Sequence, residues 1–114
     1  MHELGIVFSI IGAVEKVGRE NRLRRVSSVT LELGEVSGVL DRYLQDCWKW
    51  AAARSDLLRG AALRTETLPA VTRCGDCGNA YSTVAYGRLC PACGSENTAL
   101  AAGDEINIKE IEAC

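Results

Sequence analysis

The chain has 114 residues and a formal net charge of −2, and hydrophobic and charged residues make up 47 % and 25 % of it. These proportions are those of one ordinary globular domain, or of a small domain that carries a smaller module. The charge gives no support for a generic attraction to nucleic acid or to an anionic membrane, and no apolar run of about 20 residues could span a bilayer.

The first two elements are predicted to be an amphipathic helix and a half-buried strand. Over residues 3–20 the apolar side chains recur at helical spacing, which leaves Glu3 available for the solvent side. Residues 26–36 alternate between apolar and polar side chains, as expected for a strand with one buried face. The apolar positions of the helix are Leu4, Val7, Phe8, Ile11 and Val14.

A second helix and two further strands follow. The helix is predicted over residues 40–53, where Trp48 and Trp50 cannot both face the core because positions two apart point in different directions. Strands are predicted at 61–68 and 104–111. Since these two strands flank a cysteine-rich insertion, we expect them to pair antiparallel.

The inserted segment contains two C-x-x-C pairs separated by twelve residues. This spacing predicts a tetrahedral four-thiolate site, most often filled by zinc. Gly78 and Gly94 follow the pairs and can adopt the positive φ that a metal knuckle requires. A closed shell of four sulfurs leaves no open position for catalysis at the metal. The predicted ligands are Cys74, Cys77, Cys90 and Cys93.

Other interpretations of the cysteines remain open at this point. A rubredoxin-like iron centre uses the same knuckles, although only Tyr81 and Tyr86 supply aromatic side chains nearby. A thiol–disulfide redox pair is less favoured, because two pairs at knuckle spacing indicate a metal site. A nucleic-acid-binding ribbon is less favoured, because the module has no cluster of Lys and Arg. Cys47 and Cys114 lie outside the pairs, and we expect a buried helix residue and a frayed tail respectively. Because the start lacks a signal peptide, the thiols should stay reduced in the cytoplasm.

The amino terminus offers a second metal site of different chemistry. The Met1 amine, the amide and imidazole of His2 and a further donor at Glu3 can form adjacent chelate rings around one metal ion. Nitrogen-rich square-planar coordination of this kind selects Ni(II) or Cu(II) over Zn(II). His2 is the one histidine of the chain, so an incidental role for it also has to be considered.

Several segments together resemble a known family. The opening Met-His-Glu-Leu, the stretch from Leu31 to Gly38, the cysteine module and the ending from Gly103 to Glu112 are similar to the HypA/HybF nickel metallochaperones of hydrogenase maturation. The resemblance covers the whole chain in the expected order. The helix around Trp48 departs from the family pattern, which puts the partner surface in doubt.

The resemblance implies an α+β protein without enzymatic activity, with a nickel-binding α/β domain at 1–70 and 99–114 and a zinc-binding domain at 71–98. The fold is predicted to have two helices, a small three-stranded mainly antiparallel sheet and an inserted zinc-ribbon-like module. Nickel would be held by Met1, His2 and Glu3, and zinc by the four cysteines. The implied partners are a GTPase of the HypB type and the [NiFe]-hydrogenase large-subunit precursor, and some family members also serve urease.

Two rival functions stay open from the sequence: a rubredoxin-like electron carrier, and an adaptor whose zinc ribbon docks another protein. The recipient enzyme, the complete nickel ligand set and the residues that contact partners are undetermined. So is the oligomeric state, with a homodimer among the alternatives.

Overall fold

The computed structural model describes residues 3–114. None of the helices within this part of the chain is long and apolar enough to cross a membrane. The elements in chain order are helix α1 (Glu3–Glu20), strand β1 (Val26–Gly34), helix α2 (Asp41–Ala52), strands β2 (Ala62–Leu68), β3 (Val71–Cys74) and β4 (Ala80–Ser82), helix α3 (Thr83–Tyr86), and strands β5 (Thr98–Ala102) and β6 (Ile106–Ala113).

The predicted mixture of helices and small sheets is confirmed. The chain divides into two compact units. Unit 1 comprises Met1–Glu32, Val39–Glu66 and Asn107–Cys114, and unit 2 comprises Leu33–Gly38 and Thr67–Ile106. Each unit is assembled from segments that are distant in sequence. The units therefore could not be cut out as continuous pieces of chain.

Unit 1 has an apolar core between α1, α2 and the strand β1. Trp48 is only 2 % exposed and its indole Nε1 donates a hydrogen bond to the Ala61 carbonyl at 2.9 Å, whereas Trp50 is 48 % exposed. The prediction that the two tryptophans face different ways is thus confirmed. Other fully buried core side chains are those of Val7, Val14, Val29, Leu31 and Leu44.

The buried face of α1 is rotated relative to the predicted one. Leu4 and Phe8 are largely exposed, and Phe8 makes an edge contact with the Trp50 ring at 6.1 Å between centroids. Glu3 was expected on the solvent side but is only 9 % exposed. The reason is geometric: Glu3 stands one helical turn before the buried Val7 and so continues the buried face.

The first sheet has the strand order β2-β1-β6, so the expected pairing of β2 with β6 is wrong. Each flanking strand is instead a neighbour of β1. At the far end of β1 the Gly34 N–H donates to the Glu105 carbonyl, and the Glu35 N–H donates to the Leu68 carbonyl, both at 2.8 Å. Strands β1 and β2 thus end on the same side, and α2 supplies the crossover that such strands need.

Cys114 and Cys47 also differ from expectation. The Cys114 backbone is held rather than frayed: its N–H donates to the Arg25 carbonyl at 2.9 Å, and its carbonyl accepts from the Arg24 N–H at 2.8 Å. Its side chain is exposed. Cys47 on α2 is half-buried rather than fully buried. Neither thiol lies in the cysteine cluster described below.

Unit 2 is a small three-stranded antiparallel sheet of order β4-β3-β5, with the end of β1 and the chain around Gly103 closely packed. A side chain on Gly34 would place its Cβ 2.1 Å from the Gly103 carbonyl oxygen. Gly103 itself has φ of 109°, and a Cβ there would lie 2.3 Å from the Ala70 Cα. Both positions therefore require glycine because backbone, rather than a flexible side chain, occupies the space.

This close approach makes Gly34 a sensitive position. We expect Gly34→Ala to lower the free energy of unfolding by about 1–3 kcal/mol or more, since the clash can be relieved only by moving backbone. The matched control is Gly12→Ala in α1, where nothing lies within 4 Å and alanine should stabilise by up to about 1 kcal/mol. Urea unfolding of both variants measures the difference, and equal stability would contradict the account.

Candidate metal centres

Two loops of unit 2, one around each C-x-x-C pair, have the same backbone construction. In the first, the Cys74 N–H donates to the Asn79 carbonyl at 2.9 Å and the Gly78 N–H donates to the Cys74 carbonyl at 3.0 Å. In the second, Cys90 and Gly94 make the equivalent bonds at 3.0 and 2.8 Å. Both glycines have φ of 75°, as the sequence predicted. The first pair begins at Cys74, the last residue of β3, and the second pair follows α3 and a turn.

The two loops bring four sulfur atoms into one cluster. All four Sγ atoms lie within 4.8 Å of one another. The contact between Cys74 and Cys93 is 3.6 Å, and that between Cys77 and Cys90 is 3.5 Å. A regular tetrahedron with metal–sulfur bonds of about 2.3 Å has edges of about 3.8 Å, so the spacing and the donor set fit zinc.

Within the cluster the pKa values of two sulfurs are lowered. Burial raises the pKa of Cys90, but hydrogen bonds with the backbone of Cys93 and Ala92 and with the side chains of Cys77 and Asn79 together lower it to about 6. The pKa of Cys74 is lowered chiefly by the backbone N–H groups of Cys77 and Asp76. In both cases hydrogen-bond donors of the knuckle point at the sulfur and stabilise its negative charge.

The pKa values of the other two sulfurs are raised. The Ser95 N–H lowers the pKa of Cys93, but the neighbouring sulfurs, Cys74 first, outweigh it and raise that pKa to about 12. The Asn79 N–H lowers the pKa of Cys77, but the Cys90 sulfur and burial raise it, and the net shift is upward. The pKa values of the two cysteines in each close sulfur pair are thus shifted in opposite directions. Metal ions bind the thiolate form and compete with protons for it, so metal binding should be favoured by rising pH.

Residues other than the four cysteines also hold the cluster together, and their role was not predicted from the sequence. The Asp76 carboxylate accepts hydrogen bonds from the Ser95 hydroxyl and from the Asn97 amide, the latter at 3.1 Å, and thereby ties one knuckle to the other. These bonds lower the pKa of Asp76, with Ser95 the larger cause. The sequence features that could have predicted this link are the acidic residue inside the first pair, Asp76, and the serine shortly after the second pair, Ser95.

A tyrosine closes the inner side of the cluster. Tyr81 is buried with Cys74 and Cys90, and its hydroxyl donates to the Gly87 carbonyl at 2.9 Å. The Tyr86 ring packs edge-on against it at 6.0 Å between centroids. On this side Cys74 and Cys90 are buried, whereas Cys77 and Cys93 are exposed.

The second predicted metal site is described only in part. Met1 and His2 lie outside the described residues. Glu3 begins α1 and is nearly buried. The first four N–H groups of an α-helix have no acceptor within the helix, so the Glu3 amide is not needed for the helical hydrogen-bond pattern.

Comparison with known proteins gives a consistent result over the whole chain. The family model described as "Hydrogenase/urease nickel incorporation, metallochaperone, hypA" matches residues 1–113. The hydrogenase maturation factor HypA of Geobacter metallireducens is 38 % identical over 112 residues, which cover 98 % of each chain. The protein of the same name from Geobacter sulfurreducens is 34 % identical over 112 residues, again with 98 % of each chain covered.

Among solved structures, that of the Ni metallochaperone HypA from Helicobacter pylori aligns with a TM-score of 0.77. The alignment covers 99 % of this chain and 97 % of that one at 22 % identity, and it shows a shared fold. The match of residues 1–113 to the family model and the identity to full-length relatives agree with the resemblance noted in the sequence. The chain belongs to the HypA family of hydrogenase/urease nickel incorporation metallochaperones.

Proposed function

We propose that this chain binds Ni(II) through its amino terminus and delivers it for the maturation of [NiFe]-hydrogenase. The observation that carries the proposal is the family match over residues 1–113, which includes the Met-His-Glu opening. The curated relatives are named hydrogenase maturation factors. Nickel is the cargo in this scheme, and no chemical step is catalysed. Urease is a further recipient that the family description suggests.

The proposed nickel ligands are the Met1 amine, the amide and imidazole of His2, and the Glu3 segment. The amine and imidazole provide nitrogen donors that Ni(II) prefers in a square plane. The Glu3 amide, at the first position of α1, can serve as a donor without the loss of a helical hydrogen bond. A metal ion held by three consecutive residues can lose these ligands one at a time to an acceptor. Delivery of a cargo requires such an exchange.

The proposed role of the four-cysteine cluster is to hold a structural zinc ion through Cys74, Cys77, Cys90 and Cys93. Four cysteine sulfurs at tetrahedral spacing support zinc, and the closed shell argues against catalysis there. Iron would fit the same four sulfurs. The aromatic surroundings consist of Tyr81 and Tyr86, which is small for a rubredoxin-like centre.

The proposed partners follow from family membership. They are a GTPase of the HypB type, which would act with this chain in nickel insertion, and the precursor of the hydrogenase large subunit, which would receive the metal. Under the proposal the nickel-binding segment belongs to unit 1 and the zinc-binding cysteines to unit 2. We place the protein in the cytoplasm because the four thiols must be reduced to bind metal.

The terminal site is tested by His2→Ala. We expect this variant to bind Ni(II) at least about tenfold more weakly than the wild type, since it loses the imidazole of the chelate. Isothermal titration calorimetry on untagged protein measures the affinity. One extra residue ahead of Met1 should also weaken binding, because the free amine moves out of the chelate. Equal nickel affinity in all three proteins would contradict the proposed site.

The pH dependence of nickel binding follows from the same ligands. Protons compete with Ni(II) for the Met1 amine and the His2 imidazole, whose ordinary pKa values are about 8 and about 6.5. Affinity should therefore fall steadily as the pH is lowered from about 8 to about 6. For His2→Ala the decline below about pH 7 should be shallower, because one titrating donor is missing. Parallel pH profiles would speak against imidazole ligation.

The four-cysteine cluster is tested by Cys77→Ser, with Cys47→Ser as the matched control outside the cluster. Loss of even an outer hydrogen bond to a metal ligand costs about 10–100-fold in affinity, so loss of a thiolate should cost at least about 100-fold. Elemental analysis of natively purified protein should find zinc at full occupancy in the wild type and control and little in Cys77→Ser. Stoichiometric iron with a visible charge-transfer band would instead support the electron carrier.

A further inference from the structure

Strand β5 is one of the two edge strands of the sheet β4-β3-β5 and has an unusual sequence for that position. Its five residues, Thr98-Ala99-Leu100-Ala101-Ala102, include no charge and no proline, and the three central ones are exposed. An edge strand presents unpaired backbone groups that can template a further strand, so proteins usually protect edges with charges, proline or a short length.

The other sheet edges of the described residues carry such protection. On β2 the charged residues are Arg64 and Glu66, and on β6 they include Lys109 and Glu112. These charges pair with each other: Lys109 contacts Glu66 at 2.7 Å and Arg64 contacts Glu112 at 3.2 Å. Strand β4 has only three residues and leads directly into α3. Among the strands described, β5 is the edge that has neither charges, proline nor a length of only three residues. Its pairing with β3 has one irregularity, a register shift between Val71 and Thr72.

The register of β5 shows which backbone groups are free. Arg73 pairs with Ala99 and Thr72 with Leu100, and just beyond the strand the Gly75 N–H donates to the Asn97 carbonyl at 2.7 Å. In an antiparallel pair only alternate residues exchange hydrogen bonds with the neighbouring strand. The bond at Asn97 places Ala99 among the bonded residues, so the N–H and carbonyl of Leu100 point away from β3.

A cleft of about 510 Å³ lies beside this strand in unit 2, and Val36, Thr83, Arg88 and Leu100 contribute to its lining. The Thr98 hydroxyl donates to the Arg88 carbonyl at 2.8 Å and fixes that backbone next to β5. The guanidinium of Arg88, by contrast, has no hydrogen bond or ion pair with any residue from 3 to 114 that the structure describes. The residues that line the cleft therefore include apolar ones and Arg88, an exposed residue.

We propose that β5 binds an extended segment of a partner protein by addition of a strand, with an acidic side chain of that segment paired to Arg88. Backbone hydrogen bonds to Leu100 would supply affinity, and the cleft would supply selectivity for the charge. A second copy of this chain fits less well, because β5 itself offers no carboxylate to Arg88. The inference is independent of the nickel site, and either can fail without the other.

Fluorescence anisotropy tests the proposal with full-length, zinc-loaded protein. The probes are labelled peptides of about eight alternating Val and Thr residues, a typical strand length, with one Glu placed at each position in turn. Matched peptides carry Gln instead. We expect at least one register in which the Glu peptide binds about two- to fivefold more tightly than its Gln counterpart, as for an exposed ion pair. Absence of binding by every peptide overturns the proposal.

Two variants separate backbone pairing from charge recognition. Leu100→Pro removes the outward N–H, which an edge strand tolerates, and should weaken binding at least about tenfold. Leu100→Thr keeps that N–H, and its affinity should stay within about threefold of the wild type. Arg88→Gln should retain binding but lose the preference for Glu over Gln, a comparison that stands even if the proline variant fails to fold.

Three results would overturn the proposal: equal affinity of the wild type and a folded Leu100→Pro variant, an unchanged Glu preference in Arg88→Gln, or self-association through β5 that excludes the peptides. Sedimentation velocity with and without peptide detects the last of these. Amide hydrogen exchange locates the contact, and the expected result is peptide-dependent protection of the Leu100 amide.

Discussion

Unit 2 has too little apolar interior to be stable through burial alone. Its buried cluster consists of Cys74, Tyr81 and Cys90, so two of the three side chains at its centre are themselves metal-ligand candidates. Unit 2 comprises only Leu33–Gly38 and Thr67–Ile106, close to the size of about 40 residues below which a metal, a disulfide or a partner is usually needed for folding. The convergence of the four cysteine sulfurs is therefore the constraint on which the loops, the sheet β4-β3-β5 and the edge at β5 depend, and a bound metal ion would reinforce it.

The two proposed metal sites differ in the way that their roles require. In the cysteine cluster the donors come from two loops of identical construction, and the Asp76 carboxylate ties the loops together. Release of that ion would require separate movements of both loops. The proposed nickel ligands are on three consecutive residues, so release of nickel needs no such rearrangement of two loops. A resident ion and a transferable cargo can thus be kept apart by chain connectivity as well as by the choice of sulfur or nitrogen donors.

Much of the fold could be predicted because local patterns determined it. The helix predicted over 3–20 and the strands near 26–36 and 61–68 correspond to α1, β1 and β2, since their apolar periodicities were regular. The short elements β3, β4, α3 and β5 were not individually predicted, because they lie around the cysteine cluster and carry no regular hydrophobic pattern. The buried position of Glu3 was missed as well, because apolar spacing alone does not distinguish two adjacent faces of a helix.

The sequence by itself determined the chemistry: the cysteine spacing, the glycines at positive φ, the nitrogen donors of the terminus and the family to which the chain belongs. Tertiary structure decided what distant segments do together. It inserted β1 between β2 and β6, tied the knuckles through Asp76, and left β5 as an uncharged edge. The physical reason is that ligand type and turn preference are properties of a few adjacent residues, whereas strand order and exposure depend on the packing of the whole chain.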